Sequence, residues 1–140
     1  MVTSIQDVLV PSAKNPGAIY PRIDTRLVTI AADHPVREAV SLLHAHQVSQ
    51  LPVVDASDGS KVIGSVGERG LLRHAAGDPG LLGEPVAKVL EPPFPTVDSE
   101  VSARDAAELL VGDKQALLIV RDGVPEGLVT RTDLLEALVS

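Results

Sequence analysis

Near the end of the chain, Gly127-Leu128-Val129-Thr130-Arg131-Thr132-Asp133-Leu134-Leu135 sets a hydroxyl and a carboxylate three positions apart, between two apolar strand-like residues and an apolar helix-like run. A Thr at the point where a strand hands over to a helix presents its hydroxyl beside the unpaired N–H groups of the first helical turn. That combination suits a phosphate or carboxylate. Asp133, one turn on, can accept two hydrogen bonds from a vicinal diol. The same pair has a plainer reading, in which Thr130 is an N-cap bonding the Asp133 backbone N–H and the Asp133 charge favours the helix dipole. Both readings require a strand that ends at Thr130 and a helix that starts directly after it.

The elements that would position this pair are found by comparing the chain with itself, because a missed repeat mis-assigns the whole fold. Thr29-Ile30, Leu42-Leu43, Leu51-Pro52-Val53-Val54, Asp58-Gly59 and Gly64-Ser65-Val66 recur as Thr96-Val97, Leu109-Leu110, Leu117-Leu118-Ile119-Val120, Asp122-Gly123 and Gly127-Leu128-Val129, about 63–67 residues later. Within the first copy, Val36, Val40 and Leu43 form a helical stripe over 35–46, and the second copy has a helix over 102–111 ended by Gly112. Apolar runs over 51–55 and 61–66, and over 116–121 and 126–129, bracket segments containing Asp-Gly, a hairpin signal because Gly takes positive φ at no steric cost. A second helix follows each hairpin, over 69–76 and 131–138. Each copy therefore reads strand, helix, strand, strand, helix, giving an α+β (α/β) chain of two small sheets with helices packed on them. The expected boundaries are a lead-in at 1–26, repeat 1 at 27–76, a Gly- and Pro-rich connector at 77–94 with a short helical piece over 86–90, and repeat 2 at 95–140. Within the lead-in, 5–10 could form a turn or two of helix, and a flexible N-terminus is the default expectation.

The Gly-x-x-Thr-x-x-Asp motif resembles the CBS-domain signature, and the tandem layout from about Leu27 to Val139 resembles a CBS pair, the regulatory unit called a Bateman module, with its repeats related by pseudo-two-fold symmetry. The resemblance implies that Thr130 and Asp133 bind an adenosyl ligand, the carboxylate taking the ribose diol. Acidic residues read ribose hydroxyls in dinucleotide folds for the same chemical reason. In repeat 1 the pattern departs: Gly64-Ser65-Val66-Gly67-Glu68-Arg69-Gly70 has Gly67 in the hydroxyl position and Gly70 in the carboxylate position. Neither glycine can hold a ribose, so one competent cleft and one degenerate cleft are expected per chain.

In paired CBS repeats, the cleft served by the second motif is completed by the first repeat's early strand and by the residues entering its second strand. Those positions match Leu27, Val28 and Thr29, and Val48, Ser49, Gln50 and Leu51. On this reading, backbone groups near Ser49 and Gln50 bond the adenine edge, Val28, Leu51 and Leu128 cover its faces, and Thr132 borders the motif. Arg26 and Arg131 are the nearest phosphate partners in sequence, or simply solvated charges. The resemblance extends to the C-terminal regulatory region of bacterial cystathionine β-synthases through 47–54, 64–69 and 129–135, with 5–9 similar to the stretch before their CBS pair. It implies S-adenosylmethionine as the ligand if an upstream catalytic domain or partner enzyme exists, and AMP, ADP or ATP if the pair stands alone. No cofactor is required in either case. CBS pairs commonly associate through the helices that carry Leu71, Leu72 and Ala75, and Leu134, Leu135 and Leu138, so a homodimer is expected. Without the resemblance these residues read as core.

Composition bounds the alternatives. The chain has 140 residues, one domain's worth, with 12 Lys plus Arg against 19 Asp plus Glu and a net charge of −7, which argues against an electrostatic nucleic-acid binder. That acidity suits a cationic sulfonium better than a triphosphate. Aromatic residues are 1 % of the chain, Tyr20 and Phe94, so no stacking platform for single strands can be built and any base must lie between aliphatic side chains. No Cys is present, which removes thiol catalysis, disulfides and thiolate metal sites. No run reaches the roughly 20 apolar residues of a membrane helix, and 1–7 lack a signal-peptide layout, so a cytoplasmic protein is expected. Gly67-Glu68-Arg69-Gly70 matches a GXXG loop by letter but follows a strand and is not basic. His44 and His46, two apart, do not share a helix face and read as surface residues, as do His34 and His74. No nucleophile elbow or phosphate loop is present. The expectation is a regulatory adenosyl-binding module without catalysis, the alternative a structural homodimerisation domain with both clefts degenerate.

Overall fold

The computed structural model describes residues 27–112 and 116–139. The expected helical turn at 5–10, the lead-in and Arg26 lie outside the described residues. The chain divides into two units, one spanning Val28–Pro93 and one containing Phe94 onward.

The first unit runs β1 (Ile30–Ala31), α1 (Val36–His46), β2 (Gln50–Asp55), β3 (Asp58–Gly67), α2 (Glu68–Gly77) and two 3-10 turns, Pro79–Gly83 and Val86–Val89. Its sheet has the order β1-β2-β3, parallel between β1 and β2 and antiparallel between β2 and β3. The parallel step needs a crossover, and α1 supplies it. Strand β2, central and covered, reads as a continuous apolar run, with Leu51, Pro52, Val53 and Val54 all buried. The core combines Ile30, Val36, Ala39, Leu43, Leu51, Val53, Val66 and Leu71.

Three expectations are corrected here. The buried stripe of α1 is Val36-Ala39-Leu43, and Val40 is 43 % exposed; three-then-four and four-then-three spacings both fit one helix face, so periodicity alone does not choose between Ala39 and Val40. The first hairpin turns at Ala56-Ser57 rather than at Asp58-Gly59, which already belong to β3. Asp55 sets that turn, its carboxylate accepting from the Ser57 N–H at 2.8 Å and the Ser57 hydroxyl at 2.6 Å. Such an Asx turn competes successfully with an Asp-Gly pair two residues on. Finally, much of the connector is part of this unit: Leu81, Val86 and Val89 complete its core. Backbone bonds from Val36 N–H to the Glu84 carbonyl (2.8 Å) and from Val86 N–H to the His34 carbonyl (2.8 Å) tie it to the start of α1.

The second unit repeats the order with β4 (Thr96–Asp98), α3 (Ala103–Leu109), β5 (Ala116–Arg121), β6 (Val124–Thr130) and α4 (Arg131–Val139). Its sheet, β4-β5-β6, has the same parallel and antiparallel pairings. The hairpin turns at Asp122-Gly123 as expected, with φ of 51° and 78°. Two consecutive positive φ values mark the tight turn that matches strand twist. Helix α3 opens on Ser102, whose hydroxyl accepts from the Asp105 N–H at 3.1 Å. The core is Ala106, Leu110, Leu117, Ile119, Val129 and Leu134.

Candidate functional site

Strand β6 ends at Thr130 and α4 starts at Arg131, so the hydroxyl and the carboxylate sit where a strand passes directly into a helix. Val129 and Leu134 anchor the junction from either side, both buried in the second core. Between them Thr130 and Asp133 are half-buried, Leu128 is half-buried and Thr132 is exposed. The Asp133 N–H donates to Thr130 Oγ1 at 3.3 Å, and the Thr130 N–H donates to Asp133 Oδ2 at 2.9 Å. This is a reciprocal capping box with Asp in the place of the usual Glu or Gln. The N-cap reading is thus realised in the geometry. The box uses one carboxylate oxygen and the acceptor side of the hydroxyl. By the donor and acceptor inventory, the second carboxylate oxygen and the hydroxyl proton remain for another partner.

Arg131 has a different task from the one proposed for it in sequence. Its Nε donates to the Leu110 carbonyl at 2.8 Å, and an Nη2 bond reaches the Gly112 carbonyl. The guanidinium closes the open carbonyl end of α3, where a cation is favoured by the helix dipole. Two of its five N–H donors are used by protein carbonyls.

The other sequence-selected residues lie around β1 and β2. Leu27, Val28 and Thr29 precede β1 and are half-buried, with Val28 packed against the first core. Val48 and Ser49 are exposed and Gln50 is half-buried at the start of β2. Leu51 is 1 % exposed and belongs to the first core. The Ser49 carbonyl accepts from the Glu68 N–H at 2.9 Å, which commits it to the first turn of α2. A carbonyl oxygen has two lone pairs, so one acceptor position of this carbonyl is taken by the fold. The structure joins Thr130 to Asp133. Val28, Val48, Ser49, Gln50 and Leu51 belong to the first unit.

At the corresponding junction of the first unit, α2 opens on Gly67 with no side-chain cap. Sequence reasoning passed over Glu91, because it lies in a stretch read as a break. Its backbone pairs with Ser65 in both directions, Ser65 N–H to the Glu91 carbonyl at 3.0 Å and Glu91 N–H to the Ser65 carbonyl at 2.8 Å. The Ser65 hydroxyl also donates to the Pro92 carbonyl at 2.6 Å. The close approach rests on Gly64, where a β-carbon would come within 2.6 Å of Leu90 and 2.7 Å of the Glu91 carbonyl oxygen. A turn signal in the sequence thus hides a short β-bridge on the free edge of β3.

No group of three or more His, Asp or Glu suited to a metal occurs among the described residues. His44, His46 and His74 are exposed, and His34 Nδ1 pairs with Glu38 Oε2 at 2.6 Å on the surface. No helix among the described residues is long and apolar enough to cross a membrane.

Comparison with known proteins agrees with this organisation. The CBS-domain family model matches residues 19–77 and again 86–140. Among solved structures, the CBS-domain containing protein ATU1752 from Agrobacterium tumefaciens is 22 % identical, with 99 % of this chain and 95 % of that one covered at a TM-score of 0.75. The CBS-pair protein CBSX2 from Arabidopsis thaliana, solved in complex with AMP, is 25 % identical over 98 % of this chain and 96 % of that one, at a TM-score of 0.72. The CBS domain of a bacterial CNNM/CorC family Mg2+ transporter, solved in complex with ATP, is 22 % identical over 98 % and 87 % of the two chains, at a TM-score of 0.74. Since the family model fits twice, and each match falls on a strand-helix-strand-strand-helix unit, this chain belongs to the CBS-domain family and carries the domain in tandem.

Proposed function

We propose that the chain is a regulatory module that binds one adenosyl compound through Thr130 and Asp133 and performs no chemistry of its own. The observation that carries this reading is the half-buried capping box at the β6–α4 junction, which leaves a carboxylate oxygen and a hydroxyl proton for a ribose diol. AMP in the CBSX2 complex and ATP in the transporter-domain complex support an adenine nucleotide as the ligand. S-adenosylmethionine is the ligand implied by the likeness to the cystathionine β-synthase regulatory region. The commitment of Arg131 to protein carbonyls and the net charge of −7 favour a ligand with little negative charge, AMP before ATP. Leu27, Val28, Val48, Ser49, Gln50, Leu51, Leu128 and Thr132 are proposed to complete the site. Binding acts by favouring one arrangement of the repeats or of two chains, and the difference in affinity between arrangements sets its extent. A cytoplasmic location, with a partner enzyme or a further domain as the regulated element, belongs to the same proposal.

A second reading, a homodimerisation module without a ligand, is favoured by one observation. Leu72 on α2 and Leu135 on α4, equivalent in the two repeats, are 71 % and 62 % exposed while their neighbours Leu71 and Leu134 are buried. Thermal unfolding with AMP, ADP, ATP, NADH and S-adenosylmethionine separates the two. A ligand at about 100 times its Kd stabilises by about 2.7 kcal/mol, a shift of several degrees at this size. The regulatory reading requires such a shift with at least one compound and its loss in Asp133→Ala. A panel with no shift leaves the dimerisation reading.

A further inference from the structure

The two repeats treat the same junction differently. In the second, Asp133 holds its own carboxylate at the start of α4, accepting the Thr130 N–H. In the first, the equivalent residue is Gly70, and the space its side chain would fill is taken from outside the motif. A β-carbon on Gly70 would stand 2.9 and 3.2 Å from the two carboxylate oxygens of Glu91, and one on Gly67 would stand 3.7 Å from the nearer of them. Glu91 is half-buried, and its main chain is fixed by the bridge to Ser65 and by the Ser65–Pro92 bond. The carboxylate thus lies over the opening turn of a ten-residue helix that has no side-chain cap of its own. Negative charge is stabilised there by the positive end of the helix dipole.

We propose that Glu91 is a built-in occupant of the first repeat's motif position, supplying from the connector the carboxylate that Gly70 lacks and closing that position to anionic ligands. The two glycines are then fitted to Glu91, and the loss of the hydroxyl and carboxylate from the first motif is an exchange of ligand for tether. The AMP arm of its test rests on the adenosyl reading of Thr130 and Asp133, which titration of the native chain with AMP checks separately, and the stability arm does not.

The test has two measurements on the full chain. In thermal unfolding, Gly70→Ala is compared in the native background and in Glu91→Ala. Ala is the better helix former, so with Glu91 removed it raises Tm by a few degrees. With Glu91 present the new β-carbon evicts the carboxylate, and that gain is lost or reversed. Glu91→Gln, which keeps the shape and removes the charge, lowers Tm by roughly 1–4 °C, the size of a carboxylate at a helix start. In calorimetric titration with AMP, Gly67→Thr/Gly70→Asp is compared with the same variant carrying Glu91→Ala. The expected result is one more equivalent of AMP per chain when Glu91 is absent. Equal Tm effects of Gly70→Ala in both backgrounds, or equal AMP stoichiometry in both variants, including none in either, overturns the proposal.

Discussion

Arg131 Nε donates to the Leu110 carbonyl at 2.8 Å, so the first residue of α4 closes the end of α3. The residue directly after the motif hydroxyl is therefore a strut, and it holds the junction on which Thr130 and Asp133 stand. Replacing Arg131 with Met, which keeps part of the stem, leaves the Leu110 and Gly112 carbonyls without this partner and is expected to cost about 1–2 kcal/mol. Thermal unfolding measures the loss. The ratio of AMP to adenosine affinity should stay within about twofold, whereas a phosphate-binding Arg would change it by tenfold or more, about 1.4 kcal/mol.

Asp133 has two duties that substitution can separate. Asp133→Asn keeps an oxygen for the Thr130 N–H but loses the charge and one diol acceptor. It should lower Tm by less than Asp133→Ala, whose loss of the cap costs about 0.5–2 kcal/mol. In calorimetric titration both variants should weaken adenosyl binding by at least tenfold. If Asn and Ala differ in stability but both leave affinity unchanged, the pair is a cap alone.

Gly64 faces main chain as well as a side chain, since a β-carbon there meets Leu90 at 2.6 Å and the Glu91 carbonyl oxygen at 2.7 Å. Gly64→Ala must displace the bridge that joins β3 to residue 91. A loss of about 1–3 kcal/mol is expected, as for other overpacked sites. Hydrogen exchange at the Ser65 and Glu91 amides should accelerate more than at Val53.

Acid should loosen the first hairpin only once the pH falls below the ordinary carboxylate range. Hydrogen bonds from the Ser57 hydroxyl and backbone hold the Asp55 carboxyl below its usual range, and those from Ser60 do the same for Asp58. A folded-state value below the unfolded one means a contribution that is whole above the ordinary Asp pKa of about 3.9 and is lost as pH falls through the lower folded values. Ser57→Ala/Ser60→Ala removes the two hydroxyl bonds and keeps the two backbone ones. The variant should differ in Tm from the parent at pH 6 and converge with it near pH 2.

Much of this was legible in the sequence because local and global signals agree. The internal repeat, the strand-helix-strand-strand-helix order and the Asp122-Gly123 turn all follow from periodicity and turn chemistry that the folded chain obeys. The Thr130-x-x-Asp133 spacing likewise predicts the N-cap bond to the Asp133 N–H, while the return bond from the Thr130 N–H to the carboxylate comes from the structure. What the sequence concealed depends on contacts distant in the chain. Ala39 is buried and Val40 exposed, a choice that helical spacing leaves open. The carboxylate of Glu91 over Gly70 is invisible to spacing arguments, as 21 positions separate the two residues. Arg131 reads as a free cation until the end of α3 is placed beside it.

The capture of Leu81, Val86 and Val89 by the first core bears on where the chain can be divided. A cut at residue 76, where the repeat pattern stops, would leave the packing faces of Val36 and Leu43 open and strand the Val36 N–H and His34 carbonyl without their partners. A cut after Pro93 keeps that core whole and also retains the Ser65 bridge. For anyone expressing one repeat alone, or inserting a reporter between the two, the usable seam lies at the Pro93–Phe94 bond, well beyond the place where the resemblance between the copies ends.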